Sequence, residues 1–325
     1  MVLLAVSLLL LKCIFLASAL ENLCPPIEDL EPCGCVSDGK SIRVDCMAVT
    51  DVDELRRALQ SVKGIRRVFI DFLRARLDYI PSDLFKGLHV TKISFTNCDL
   101  KKFGDEGRSA LEGLEHIIEE FAIHFSFNED NELKHLNVSQ LKAITDLEIE
   151  GNELTEMGND WFKDGPSNVR NLFIMTNFIE KLGDKAFASF RNVRNLWLTG
   201  NKFKTLKRSM FPSPAVHLSS LDLTNNEIST LPDDIFSKMP ALKEVILAEN
   251  EIQYVTEATW SPVWSRLRSV YLESNPLECD SGIEWMFKVS RPYVLKGTCV
   301  GPKNRKDVAL KRIIDDKQQE DLYDD

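Results

Sequence analysis

Residues 193–203 read VRNLWLTGNKF, and the spacing of the apolar residues in this stretch decides the fold. Leu196 and Leu198 lie two residues apart, as inward-facing residues of one strand would, and Asn201 follows the strand. Because side chains alternate along a strand, Trp197 is predicted to point outward, into water. The outward position of so large an apolar side chain makes sense once the stretch is compared with the rest of the chain.

The pattern L-x-x-L-x-L-x-x-N-x-L recurs along the chain. Six copies, separated by steps of 24 or 25 residues, end at Leu154, Ile179, Phe203, Ile228, Ile252 and Leu277. Upstream, VTKISFTNCDL ends at Leu100 and a more degenerate RVFIDFLRARL ends at Leu77. The step of 54 residues from Leu100 to Leu154 leaves room for one irregular copy around FAIHFSFNEDNEL, residues 121–133. The chain therefore contains eight recognisable repeats and one irregular repeat.

This pattern resembles the leucine-rich repeat over residues 65–277, about two thirds of the chain. The resemblance implies an α/β fold, a solenoid with a curved parallel β-sheet on its concave face. The aliphatic positions face the interior, and the asparagine amides are expected to bond buried backbone groups where the chain turns away from each strand. These asparagines are Asn152, Asn177, Asn201, Asn226, Asn250 and Asn275. Phe85, Phe187 and Phe236 are expected to fill the convex side of the core.

Both ends of a solenoid need caps, and the cysteines are concentrated there. Residues 24–46, CPPIEDLEPCGCVSDGKSIRVDC, resemble the cysteine-rich N-terminal cap of extracellular leucine-rich repeat proteins. Four cysteines allow three pairings, and spacing alone does not choose among them. The resemblance implies Cys24–Cys35 and Cys33–Cys46. A zinc site at Cys33-Gly-Cys35 is the weaker interpretation, because no histidine is close in the sequence.

Residues 278–302 resemble the C-terminal cap of the same proteins and imply one bridge, Cys279–Cys299. Ser281 stands where many such caps have another cysteine. Residues 303–325 are rich in charge and are predicted to be an acidic disordered tail, in which Tyr323 is a candidate for sulfation. Cys98 occupies the asparagine position of its repeat and is predicted to be a buried, reduced thiol, with a reactive or intermolecular cysteine as the alternative.

The chain begins with an apolar run that ends in Ala17-Ser18-Ala19, which predicts a signal peptide over residues 1–19, with a signal anchor as the alternative. No later stretch approaches the roughly 20 apolar residues of a membrane helix. Residues 20–64 would then form the N-terminal cap and a short helix that begins at Asp51 and stops at Gly64. Asn137 lies in the only N-glycosylation sequon, and we expect it to be modified if exposed.

The CPP…PCGC opening and the stretch IPSDLFKGL, residues 80–88, resemble a group of secreted arthropod leucine-rich repeat proteins. These proteins are labelled by similarity to the non-catalytic subunit of a shrimp luciferase, luciferin 2-monooxygenase. The resemblance implies a non-catalytic role. It does not by itself assign light emission to this chain.

The concave face offers the clearest prediction of a binding surface. The residue between the second and third aliphatic positions points out from the centre of the sheet, and in successive repeats it is Asp71, Ser94, Glu148, Phe173, Trp197, Asp222, Ile246 and Tyr271. Met175 extends this column on the same face as Phe173. A second column, after the first aliphatic position, contains Arg170, Arg194, Ser219, Lys243 and Arg268. Aromatic residues and arginine are enriched at binding hot spots, although strands also favour aromatics on propensity alone.

Composition and motifs limit the classes of function. The formal charge of −10 and the isoelectric point near 5.2 argue against nucleic acid or an anionic membrane as the main partner. The sequence has no nucleophile elbow, phosphate-binding loop, dinucleotide glycine pattern or H-E-x-x-H, so no catalytic residue, cofactor or metal site is predicted. The leading hypothesis is a secreted protein that binds an extracellular protein ligand. The alternative is a non-catalytic subunit of a secreted enzyme complex, and an enzyme has no support in the sequence.

Overall fold

The computed structural model describes residues 22–105, 107–126, 138–163 and 165–323. The predicted signal peptide and Asn137 lie outside these residues. In chain order the strands are Cys33–Ser37 (β1), Ile42–Met47 (β2), Val68–Leu73 (β3), Arg76–Ile80 (β4), Val90–Thr96 (β5), Asp99–Asp105 (β6), Arg108–Ser109 (β7), Glu120–His124 (β8), Asp146–Glu150 (β9), Glu156–Met157 (β10), Asn171–Met175 (β11), Lys181–Leu182 (β12), Asn195–Trp197 (β13), Ser220–Asp222 (β14), Glu244–Ile246 (β15), Ser269–Tyr271 (β16), Leu277–Glu278 (β17), Val294–Lys296 (β18) and Cys299–Gly301 (β19).

The described residues contain few helices. The α-helices are Ile27–Leu30 (α1), Val52–Gln60 (α2), Glu257–Trp264 (α3) and Leu310–Tyr323 (α4). Arg208–Met210 and Ser281–Lys288 are 3₁₀ helices. As predicted, Asp51 caps α2, and its carboxylate accepts hydrogen bonds from the backbone N–H groups of Asp53 and Glu54.

One long sheet organises the described residues, with twelve strands in the order β1-β2-β3-β5-β8-β9-β11-β13-β14-β15-β16-β18. The β1–β2 pair is antiparallel, and every later pair is parallel. The register advances by one repeat at each step, so that Leu172 pairs with Leu147 on one side and Leu196 on the other. This is the leucine-rich repeat solenoid that the sequence predicts.

The asparagine ladder is also confirmed. All six predicted asparagines are buried, and each amide bonds backbone groups of a neighbouring repeat. The amides other than that of Asn177 also bond backbone groups of their own repeat. Asn201 shows the arrangement: Nδ2 donates to the carbonyl of Ile174 at 2.9 Å, and Oδ1 accepts from the N–H of Asn177 at 3.3 Å and of Ile179 at 3.2 Å. One side chain therefore joins two successive repeats at a turn that has no regular backbone ladder.

The convex side of the core is aromatic. Phe85, Phe187 and Phe236 are at most 1% exposed, as the sequence predicts. Near the C-terminal end the core also includes Trp260 and Trp264 of α3, whose rings meet edge to face with centroids 5.9 Å apart. This tightly packed side supports the sheet from behind and leaves the opposite face open.

The caps carry three disulfides with the pairings that the resemblance implies: Cys24–Cys35, Cys33–Cys46 and Cys279–Cys299. The N-terminal bridges join β1 and β2, which cover the first edge of the solenoid. At the other end, β18 extends the main sheet beyond β16, and β19 pairs with β17. The terminal strands are thus covered or covalently tied.

The C-terminal tail differs from the prediction of disorder, because residues 310–323 form α4. Leu310 and Ile314 are fully buried, and Gln318 donates through Nε2 to the carbonyls of Phe287 and Val289 at 3.1 and 3.0 Å. Apolar residues at positions 310, 313 and 314 provide a helical spacing that the surrounding charges obscure in the sequence. The helix docks on the C-terminal cap and extends it.

Cys98 is the one free cysteine of the described residues, and it is 5% exposed. Burial raises the pKa of this thiol, which favours the unreactive protonated form. We expect the folded protein to resist thiol alkylation and the urea-unfolded protein to react with one equivalent per mature chain under non-reducing conditions. Mass spectrometry of the alkylated protein measures this. Stoichiometric labelling of the folded protein would instead support the reactive cysteine considered above.

Candidate functional site

The central column of the concave face forms as predicted. Residues that lie in register across the strands are Asp45, Asp71, Ser94, Ala122, Glu148, Phe173, Trp197, Asp222, Ile246, Tyr271 and Lys296. The structure adds three members that the sequence analysis did not assign. Asp45 and Lys296 come from the caps, and Ala122 comes from the irregular repeat.

Phe173 and Trp197 are direct neighbours on this column. Their ring centroids are 4.8 Å apart with an interplanar angle of 55°. Trp197 is 39% exposed, whereas the flanking Phe173 and Met175 are half-buried. Paired strands hold the two rings in place at the surface. Binding a ligand would therefore cost these side chains little conformational entropy.

A polar column, which the sequence analysis did not consider, runs beside the aromatic pair. Asn195 donates through Nδ2 to Asn171 Oδ1 at 2.7 Å, and Asn171 donates in turn to Asp146 Oδ1 at 2.5 Å. Farther along, Ser220 donates to Glu244 Oε2 at 2.9 Å. Strand alternation could have predicted this column, since these residues lie two positions before the central one. Its members bond one another across strands and stiffen the surface.

The basic column lies next to these polar residues, at the start of the strands. Its residues follow one another through backbone bonds; the N–H of Arg194, for example, donates to the carbonyl of Arg170 at 2.8 Å. Arg170, Arg194, Lys243 and Arg268 are all exposed. Within the described residues none of the four forms an ion pair, although pairs such as Lys207 with Asp184 do form elsewhere. These cations remain available to an acidic partner.

The N-terminal half of the concave face is different, because its charges pair with one another. Arg43 Nε lies 3.0 Å from Asp71 Oδ2, and Ser94 donates to the same carboxylate. Desolvation and the nearby Asp71 raise the pKa of Asp45. Lys92 Nζ lies 2.8 Å from Glu120 Oε2. The unpaired cations beside the Phe173–Trp197 contact therefore distinguish the C-terminal repeats from this half of the face.

At the boundary between the two halves, the structure brings together His124, Glu148 and Glu150, which the sequence analysis did not group into one site. The close polar contact with Glu148 raises the pKa of His124. His124 belongs to the irregular repeat, where the sequence pattern did not establish the register, so this grouping became visible only with the strand pairing.

The comparisons with known proteins agree with this architecture. The family model described as leucine rich repeat matches residues 142–203 and 216–277, which include all the strands of the candidate surface from β9 to β16. Over these residues the match agrees with the leucine-rich repeat solenoid that the repeat register, the asparagine ladder and the stapled caps define. No helix within the described residues is long and apolar enough to cross a membrane.

Among curated proteins, the chain is similar to the Oplophorus-luciferin 2-monooxygenase non-catalytic subunit of Oplophorus gracilirostris. The identity is 25%, and the match covers 88% of this chain and 86% of that protein. Keratocan of Mus musculus is 26% identical over 54% of this chain and 48% of its own length. A chain from the octameric complex of Latrophilin 3, Unc5D and FLRT2 shares the fold with a TM-score of 0.59 and 16% identity, covering 89% of this chain and 97% of that one.

Proposed function

We propose that this protein is secreted, lacks catalytic activity of its own and binds an extracellular protein ligand on the concave face of its C-terminal repeats. The observation that carries the proposal is the contact between exposed Trp197 and half-buried Phe173, edged by arginines that have no acidic partner within the described chain. Protein-binding hot spots combine buried aromatic anchors with arginine, at positions where water is excluded on binding.

The expected ligand surface follows from the chemistry of the columns. The aromatic pair, Met175, Ile246 and Tyr271 offer apolar contacts, with Asp222 interrupting them. Asp222 Oδ1 accepts hydrogen bonds from the N–H and hydroxyl of Thr224 and is fixed in place. A complementary ligand would place an apolar segment over the rings and acidic groups over the basic column, where opposite charges also speed association.

The disulfides support secretion as part of this proposal. Bonds of this kind persist in oxidising compartments, and here they hold both caps. Residues 1–19, outside the described part of the chain, supply the predicted signal for export.

The second candidate is a non-catalytic subunit of a secreted enzyme complex. It is favoured by the similarity to the luciferin monooxygenase subunit, which extends over most of both chains. On this hypothesis the same concave face would hold a catalytic chain, and the ligand would be an enzyme.

One purification tests both candidates. The tagged mature protein is passed through extracellular fluid of the source organism, and co-purifying proteins are identified and their stoichiometry measured. A stoichiometric partner that shows enzyme activity supports the subunit hypothesis, and a non-enzymatic partner supports the binding scaffold. If the protein carries a catalytic activity when purified alone, both hypotheses are wrong.

A further inference from the structure

The concave face contains a group of potential metal ligands at the junction of β8 and β9. His124 ends β8 and pairs in register with Glu150, which ends β9. Glu148 lies two residues before Glu150, so strand alternation places it on the same face. One imidazole and two carboxylates from adjacent repeats therefore converge, although 24 residues separate the first from the second along the chain.

The distances suit a shared ion. One ligand atom from each of the three side chains can be chosen so that all lie within 4.8 Å of one another, and His124 Nε2 is 3.3 Å from Glu148 Oε2. Ligand atoms about 2.0–2.2 Å from a tetrahedral ion lie roughly 3.3–3.6 Å apart, so small side-chain rotations complete the site. The side chains of His124 and Glu148 are only 23% and 33% exposed.

The polar atoms of the group are only partly satisfied by the protein. His124 Nε2 is enclosed and lies 3.3 Å from Glu148 Oε2, without the geometry of a well-formed hydrogen bond within the described residues. The Glu150 carboxylate likewise has neither a hydrogen bond nor an ion pair there. Lys92, whose charge also acts on His124, is paired with Glu120. An enclosed nitrogen that faces one carboxylate without a well-formed hydrogen bond, beside a second carboxylate, is an arrangement that a shared cation would satisfy.

We propose that His124, Glu148 and Glu150 bind a divalent transition-metal ion of the zinc type on the concave face. Imidazole favours such ions over calcium and magnesium, and the two carboxylates balance the dipositive charge. Thr96 Oγ1 lies 3.5 Å from His124 Nδ1, at the limit of a hydrogen bond, and is placed to orient the ring with Nε2 toward the ion.

The surroundings leave the ion accessible from the concave side. The central position beside His124 on β8 is Ala122, whose methyl group is too short to cover the site. Three protein ligands leave at least one coordination position of a tetrahedral ion open. Phe173 lies on the same face one strand farther along, in register with Glu148.

The test is isothermal titration calorimetry, in which zinc chloride is titrated into the purified, chelator-treated mature protein. We expect one saturable site in the wild type. His124→Ala, and separately Glu148→Gln with Glu150→Gln, should each lower the affinity at least tenfold. His217→Ala, which changes an exposed histidine in another repeat, is the matched control and should leave the affinity unchanged. Zinc should also raise the thermal midpoint of the wild type but not of the site variants.

Three results would overturn the proposal: no saturable zinc binding, equal zinc binding by wild type and His124→Ala, or binding of calcium in place of zinc. Circular dichroism shows whether each variant is folded, and the glutamine variants preserve side-chain shape should the alanine variant fail to fold. The titration requires no partner protein, so its outcome is independent of the proposed ligand-binding function.

Discussion

Asn201→Leu is expected to lower the free energy of unfolding by about 4 kcal/mol. Two buried backbone N–H groups lose their hydrogen-bond acceptor, and each unsatisfied group costs roughly 1–3 kcal/mol. The groups are the amides of Asn177 and Ile179, which donate to Asn201 Oδ1. Leucine has the same branching as asparagine and cannot accept these bonds. The lost hydrogen bonds lie in the middle of the solenoid, where each repeat is stabilised by contacts with its neighbours.

Urea unfolding followed by circular dichroism measures this change. The control is Asn304→Leu, the same substitution at an exposed asparagine, which should change the free energy of unfolding by less than about 0.5 kcal/mol. If Asn201→Leu costs less than about 1 kcal/mol, the ladder does not join the repeats in the way described.

The second large effect concerns binding. Trp197→Asp combined with Arg194→Glu should weaken the affinity for the co-purified partner about 1,000-fold, since two hot-spot residues contribute about 2 kcal/mol or more each. Both side chains are exposed, so we expect the thermal midpoint to stay within a few degrees of the wild type. Surface plasmon resonance with the purified partner gives the two affinities.

The matched control for this pair lies away from the concave columns. Tyr254→Asp with Lys185→Glu makes the same kinds of change at exposed positions outside the main sheet. This variant should bind as well as the wild type. Equal loss in both double variants would show that the effect comes from net charge, and unchanged affinity of Trp197→Asp with Arg194→Glu would place the interface elsewhere.

The sequence alone was sufficient for those features that depend on periodicity. The aliphatic and asparagine positions recur at one spacing, so the strands, their register and the Phe173–Trp197 contact could all be predicted. The cap disulfides followed from a resemblance, because spacing did not choose among the three pairings.

Features that depend on a broken pattern or on a short segment were missed. His124 lies in the irregular repeat, and its approach to Glu148 and Glu150 requires the observed pairing of β8 with β9. The docking of α4 rests on Leu310 and Ile314, a short apolar pattern among charged residues. Tertiary contact with the cap, which composition does not report, stabilises this helix.

Site-directed photo-crosslinking tests the central claim most directly. A benzophenone amino acid is placed at position 197 on the concave face, or at position 185 outside it, and each protein is irradiated in the presence of the partner. The account predicts an efficient crosslink to the partner from position 197 and none from position 185. A crosslink from position 185 with none from position 197 would contradict the claim that the concave face of the C-terminal repeats is the binding surface.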